Sequence, residues 1–233
     1  PWQVLAITFT NKAAGELKQR LMNQLGESGG DIFASTFHSA CVKFLRRDAD
    51  KIGYEKSFTI YDTADQQTVM KECIKELGVD DKKYAPRAVL SFISGAKDKL
   101  IDYREYAQIN NGDFYLSTVA RLYEKYQKKL KANNAMDFDD LIVNTVRLFE
   151  ECDDVLKYYQ NRFKYILVDE YQDTNHAQYR LVSLLAKRHE NLCVVGDDDQ
   201  SIYKFRGADI KNILEFEKEF DNCRVIKLEE NYR

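Results

Sequence analysis

Tyr165-Ile166-Leu167-Val168-Asp169-Glu170-Tyr171-Gln172-Asp173-Thr174-Asn175 is an apolar run that stops on two adjacent carboxylates. The run is too short for a helix and is rich in β-branched and aromatic residues, so it predicts a buried strand. Asp169 and Glu170 would be costly to bury unpaired, which puts them at the strand's exit. A carboxylate pair at such a corner suits a divalent cation and a water, and the plainer reading is an acidic turn. The crowding of Gln172, Asp173, Thr174 and Asn175 behind the pair favours a site, because one turn rarely needs so many hydrogen-bonding side chains.

The same pattern recurs on either side. Val4 to Phe9 is a strand-length apolar run, followed by Thr10 or Asn11 as a cap and by Ala13, Ala14, Leu17, Leu21 and Leu25 at helical spacing, closed by Gly26. Ile32 to Phe37 predicts a second strand, with Ala40, Cys41, Phe44 and Leu45 as the buried stripe of the helix after it. Downstream of the opening stretch, a helix over Ala177 to Arg188 leads into another buried strand, Leu192 to Val195. This is a β-α-β crossover with parallel strands. A helix over Asp209 to Phe220 and a last strand over Arg224 to Leu228 follow. From about Phe58 the patterns turn helical, over Thr63 to Leu77, Pro86 to Leu100 and Phe114 to Lys131, with no strand between them. Helices over Phe138 to Phe149 and Val155 to Phe163 lead back to the opening stretch. The expectation is an α/β fold, a parallel sheet flanked by helices and interrupted by a mainly helical inserted subdomain. Residues 1–60 and 137–233 would form one unit and 61–136 the other.

At 233 residues, 44% hydrophobic and 31% charged, the chain can bury a sizeable core, and no apolar run reaches the length of a membrane span. Five cysteines (Cys41, Cys73, Cys152, Cys193, Cys223) without a Cys-x-x-Cys pair read as reduced core thiols of a cytosolic protein. The three histidines, His38, His176 and His189, lack metal-ligand spacing, so no zinc site is expected. A formal net charge of −3 argues against coating a phosphate backbone by bulk charge, so any nucleic-acid binding must use a local patch or groove.

Each apolar run ends in a polar cluster on its C-terminal side. These are Thr8 to Lys12, Thr36 to Ser39, Asp169 to Asn175, Gly196 to Gln200 and Glu229 to Arg233. Ligands of open parallel sheets bind outside those strand ends, so one extended site is expected rather than five separate turns. Within Gly196 to Gly207, Asp197, Asp198, Asp199 and Gln200 suit metal, water or phosphate. Tyr203, Phe205 and Arg206 suit stacking on bases. An acidic loop with aromatics returning to the core explains that stretch equally well.

Taken together, Thr8-Phe9-Thr10-Asn11-Lys12-Ala13-Ala14, Ser35 to Ser39, Val168 to Asn175, Gly196 to Ala208 and Leu228 to Arg233 resemble the ordered motifs of superfamily 1 DNA helicases of the UvrD/Rep/PcrA type. The PcrA branch is the one most resembled, and the likeness spans nearly the whole chain. Met136-Asp137-Phe138-Asp139-Asp140-Leu141 resembles the family's return from its inserted subdomain. The resemblance implies a RecA-like motor domain 1A carrying a 1B insertion. The implied activity is ATP-driven 3′-to-5′ movement on single-stranded DNA with duplex unwinding, in DNA repair or replication. ATP and Mg²⁺ are the implied cofactors. Single-stranded DNA and its junctions with duplex are the implied partners, alongside accessory repair or replication proteins. The implied location is cytoplasmic and nucleoid-associated, with no membrane partner.

The resemblance also implies roles. Asp169 would hold Mg²⁺ and Glu170 would polarise the attacking water, the division of labour that in-line phosphoryl transfer needs. Gln200 would sense the γ-phosphate, Arg233 would set positive charge against it, and Tyr232 would stack on adenine. Gln172 and Asp173 would relay nucleotide state toward the Gly196 to Gly207 loop. Phe9, Thr10, Asn11, Thr36, His38, Tyr203, Phe205 and Arg206 would line the DNA track, Phe205 standing where many relatives have tryptophan. Phe9 reads equally as a core residue, and His38 alone reads as a helix-start histidine. The helix holding Lys125, Lys128, Lys129 and Lys131 reads as a solvated face, with duplex contact as the second reading.

No G-x-x-x-x-G-K-[ST] phosphate loop occurs in these residues; Gly26-Glu27-Ser28-Gly29-Gly30 has neither its spacing nor its lysine. The chain opens Pro1-Trp2-Gln3-Val4 with no initiator Met. It is therefore expected to be the central piece of a first motor domain, and by itself to neither hydrolyse ATP nor unwind DNA. Two other readings stay open. One is a metal-dependent nuclease using Asp169, Glu170, Asp173 and Asp197 to Asp199. The other is a non-catalytic DNA-binding or protein-interaction module.

Overall fold

Short polar side chains decide where most helices begin. The computed structural model describes residues 1–197, 216 and 222–227. β1 (Val4–Thr8) runs into α1 (Asn11–Leu25), whose start is capped by Thr10, its hydroxyl accepting from the Ala13 N–H at 3.1 Å. α1 stops at Gly26, which takes φ 63°. β2 (Phe33–Thr36) passes directly into α2 (Phe37–Asp48), with Thr36 as the cap. After β3 (Thr59–Ile60), α3 (Thr63–Leu77) opens on a reciprocal Asp62–Asp65 capping box, and α4 (Pro86–Lys97) on a proline at its first turn. α5 (Tyr103–Ile109) and α6 (Phe114–Ala132) are capped by Asp102 and Asp113. β4 (Ala135–Met136) precedes α7 (Phe138–Glu151) and α8 (Asp153–Arg162). β5 (Tyr165–Val168), α9 (His176–Ala186) and β6 (Leu192–Val194) follow.

Among the described residues, four strands form one parallel sheet in the order β2-β1-β5-β6, with Thr8 opposite Thr36, Ile7 opposite Val168, and Val168 opposite Val194. Leu5, Ile7, Ile166 and Val168 face a core built with α2, α7, α8 and α9. Its centre is aromatic: Phe44 packs against Phe149, Tyr159 and Phe163 with ring centroids 5.8, 4.4 and 6.2 Å away. Such pairs each add roughly 0.5–1.5 kcal/mol beyond the area they bury. A second core joins α3, α4, α5 and α6 through Met70, Val89, Ile93, Tyr106, Leu122 and Tyr126. The two ends of this helical stretch meet, because β3 and β4 pair in parallel and Thr59 and Tyr61 donate to the carbonyls of Asn134 and Met136.

Between the cores lies a buried charged seam. Lys97, at the end of α4, donates to Asp137 Oδ2 at 2.7 Å and lies 2.8 Å from Asp140 Oδ1. Tyr126 and Gln127 of α6 donate to the same two carboxylates at 3.0 and 2.9 Å. Burial opposes the lysine's charge, but the two aspartates outweigh it and hold the ammonium well above its usual range.

Several expectations need correction. β5 is half-buried rather than buried: Ile166 and Val168 point inward while Tyr165 and Leu167 stay exposed, since the helices packed on β5 lie on one face among the described residues. β6 likewise leaves Cys193 exposed. Only Cys41 and Cys73 are buried, and all five thiols are free. The helix-only stretch contains the short β3–β4 pairing at its borders and an extra helix, α5. Arg224 to Lys227 form no strand, and Val225 and Ile226 are exposed with no sheet partner among the described residues. Leu228, and the helix expected over Asp209 to Phe220 apart from the helical Phe216, lie outside the described residues.

Candidate active site

Parallel pairing sends the ends of β1, β2, β5 and β6 to one edge, and with them three of the five polar clusters and the first two residues, Gly196 and Asp197, of a fourth. The fifth, Glu229 to Arg233, lies outside the described residues, as do Asp198, Asp199, Gln200, Tyr203, Phe205 and Arg206. Asp169 leaves β5 with its N–H still donating to the Ile7 carbonyl of β1 at 3.0 Å, so the sheet continues to the carboxylate itself. Glu170 then turns the chain sharply, adopting the left-handed conformation at φ 52° and ψ 41°. For a non-glycine residue this costs about 1–2 kcal/mol, and such strain gathers at functional sites.

The side chains behind the turn hold it in that shape. Gln172, fully buried, donates to Glu170 Oε2 at 2.8 Å while its own oxygen accepts from the Asp197 N–H at 3.1 Å. One amide thus ties the exit of β5 to the loop after β6. Asp173 donates its N–H to the Glu170 carbonyl, and Thr174 Oγ1 donates to the Tyr171 carbonyl at 2.7 Å. Asn175 caps α9 in a reciprocal box with Gln178.

Asp169 and Glu170 have no ion-pair partner among the described residues. Partial burial pushes the Asp169 carboxyl above its ordinary range; the Glu170 N–H bonded to its Oδ1 pulls it down, and the charge of Glu170 raises it again. A carboxylate in that state gains from a divalent cation, and Mg²⁺ needs only one or two protein carboxylates alongside phosphate and water. The residues present therefore fit MgATP on the metal side. Among the described residues no three His, Cys, Asp or Glu side chains converge as a multi-carboxylate metal centre requires.

The expected DNA contacts fall along the same edge with differing freedom. Thr10 and Asn11 are exposed at the start of α1. Phe9 is half-buried, its ring edge-on to Phe37 at 5.4 Å, so much of it serves the core. Thr36 is buried, donating to Ser39 Oγ at 2.9 Å and capping α2. His38 stands edge-on to Phe138 at 5.9 Å, and burial holds its pKa below the usual value despite the nearby charge of Asp139. The lysines of α6 are largely used within the chain: Lys125 and Lys129 pair with Glu76, Lys129 also with Glu72, Lys128 with Glu124, and Lys131 sits over the Tyr54 ring.

Inspection of the sequence missed Lys97 and Asp98 altogether. The signal was present, since Val89, Ile93 and Lys97 follow each other at four-residue steps and place the lysine on the buried stripe of α4.

The family model for the UvrD/REP helicase N-terminal domain matches residues 1–221. The ATP-dependent DNA helicase PcrA of Bacillus subtilis (strain 168) is 55% identical over 233 residues, covering 100% of this chain and 31% of the relative. The PcrA helicases of Staphylococcus aureus (strain Mu50) and Staphylococcus epidermidis (strain ATCC 35984) are each 54% identical over 233 residues, covering 100% of this chain and 32% of theirs. The chain therefore spans about a third of the length of these curated relatives. Its match to the family model over nearly all its residues, with a parallel sheet that delivers paired carboxylates to one edge, makes the chain a member of the UvrD/REP helicase N-terminal domain family.

Proposed function

We propose that this chain is the carboxylate-bearing part of an ATP-driven DNA motor that moves 3′-to-5′ along single-stranded DNA and separates duplex at junctions, serving repair or replication in the cytoplasm. The observation that carries the reading is the Asp169–Glu170 corner, without an ion-pair partner among the described residues, strained at Glu170 and braced by Gln172. On this reading residues 1–60 and 137–233 are the motor unit and 61–136 the inserted one.

Bound Mg²⁺ would neutralise phosphate charge on ATP. Asp169 would hold that ion. Glu170 would accept a hydrogen bond from the attacking water and take up its proton, and Gln172 would keep the carboxylate of Glu170 aimed at the water. The same Gln172 amide would carry the state of the corner to Asp197 and the loop beyond it. Gln200 and Arg233 would meet the γ-phosphate and Tyr232 the adenine. Thr10, Asn11, Thr36, His38 and Phe9 would meet DNA along the sheet edge, together with Tyr203, Phe205 and Arg206.

These residues hold no phosphate loop, so the 233-residue chain by itself is expected to release no phosphate and unwind nothing. DNA-stimulated phosphate release from this chain above that of its Glu170→Gln variant would overturn that expectation. The functional reading is tested in the motor extended to the length of its relatives, where Glu170→Gln is expected to lower DNA-stimulated ATP turnover about 100-fold while ATP still binds. Undiminished turnover would overturn the reading. Cleavage of labelled DNA by the extended motor with Mg²⁺ and no nucleotide would favour a nuclease instead.

A further inference from the structure

The last residues of α4 are held by two different parts of the molecule. Lys97 points into the seam with Asp137 and Asp140, and the next residue, Asp98, points the other way, onto the start of α9. Asp98 Oδ1 accepts from Asn175 Nδ2 at 2.6 Å, and its carbonyl accepts from the Ala177 N–H at 2.9 Å. We propose that Asp98 is a positioning residue for the carboxylate pair: through Asn175 it ties the helical stretch between β3 and β4 to the segment that sets Glu170. This proposal rests on the motor reading above for its catalytic consequence, but the contact itself does not.

The polar atoms of Asn175 are fully committed. Its Oδ1 accepts from the Gln178 N–H at 2.8 Å, its N–H donates to Gln178 Oε1 at 3.0 Å, and its Nδ2 donates to Asp98. From there back to the corner, Thr174, Gln172 and Tyr171 are almost wholly inaccessible, and hydrogen bonds run from Thr174 to Tyr171 and from Gln172 and Asp173 to Glu170. A close-packed, hydrogen-bonded segment of this kind does not absorb a displacement at one end locally. Without the Asp98 oxygen, the Asn175 amide is left with a buried unsatisfied donor, and turning to satisfy it gives up the cap of α9. Either response moves the segment that carries Glu170. The seam extends the same connection: Asp139, between Asp137 and Asp140, lies close enough to Asp98 and to His38 to act on the charge of both. Asp98 thereby links the inserted helices to the carboxylate corner through contiguous contacts at Asn175 and Ala177.

The test uses Asp98→Ala, which removes the acceptor, and Asp98→Asn, which keeps an oxygen in the same place. In the extended motor, Asp98→Ala is expected to lower kcat for ATP about tenfold with KM unchanged, the size of effect one buried donor left unsatisfied produces. Asp98→Asn is expected to stay within about twofold of the parent, and Asp98→Ala to add no loss to Asn175→Ala. Wild-type kcat in Asp98→Ala, or an equal loss in Asp98→Asn, overturns the proposal. Asp98→Ser, too short to reach Asn175, replaces the alanine variant if that one does not fold. If the extended motor turns over ATP no faster than its Glu170→Gln variant, the motor reading itself has failed. The contact is then read in the 233-residue chain by hydrogen exchange: the Ala177 and Gln178 amides should exchange about tenfold faster in Asp98→Ala and unchanged in Asp98→Asn. Equal exchange in all three overturns the positioning role regardless of activity.

Discussion

Two acidic pairs of the molecule behave oppositely in the fold. Asp137 and Asp140 are 3% and 2% exposed, share the ammonium of Lys97 and cap a helix; Asp169 and Glu170 stand at an open sheet edge without a cation among the described residues. Breaking a buried pair is strongly destabilising, because it leaves an uncompensated charge. An open pair costs little to leave unpaired in water and is free to take a ligand. The partner, more than the acids, separates a structural site from a chemical one.

The largest effect expected on this contrast is from Lys97→Met. It strands two buried carboxylates, and denaturant unfolding of the chain should show a loss of about 3–5 kcal/mol. A loss below about 1 kcal/mol would mean the seam is not what joins the two cores. Glu170→Gln should do the reverse, lowering turnover of the extended motor about 100-fold with the unfolding midpoint of the chain unmoved. A shared loss of stability in both variants would erase the distinction between the pairs.

A smaller effect concerns pH. Burial, then the charge of Asp139, push the Asp98 carboxyl up to about 7 from its usual 3.8, against the opposing Asn175 hydrogen bond and Lys99. Between those values the folded chain keeps a proton that the unfolded chain has released, so stability is greatest at the acid end of the window and falls as pH rises toward 7. Asp139 and Asp140, also raised by burial, act in the same direction, Asp140 to about 6. Unfolding measured from pH 4.5 to 7.5 should show this decline, and Asp98→Asn should make it shallower. The smallest effect is expected at the exposed Lys128–Glu124 pair of α6, where Lys128→Ala should leave the unfolding midpoint within error. A clear shift there would mean that surface pairing contributes to the inserted unit after all.

Much of the fold was legible because its signals are local. Thr10, Asp62 and Pro86 mark helix starts through bonds and angles confined to one turn, and Gly26 marks an end in the same way. The strand runs announce themselves by composition, and right-handed parallel crossovers then oblige their ends to share an edge. The small β3–β4 ladder escaped notice because two residues carry no periodicity, and α5 because seven residues give no stripe. The half-exposure of β5 was equally hidden, since an apolar run reads the same whether one face is covered or two.

By itself the sequence determined the chemistry available at the sheet edge: which strands end in carboxylates, hydroxyls or aromatics, and that Asp169 and Glu170 leave one strand together. Only the tertiary structure decided which acids would be silenced and which left open. Lys97 is 40 residues from Asp137, and Asp98 is 77 from Asn175. A charge's fate depends on the dielectric and the partner it meets after folding, and long-range packing sets both.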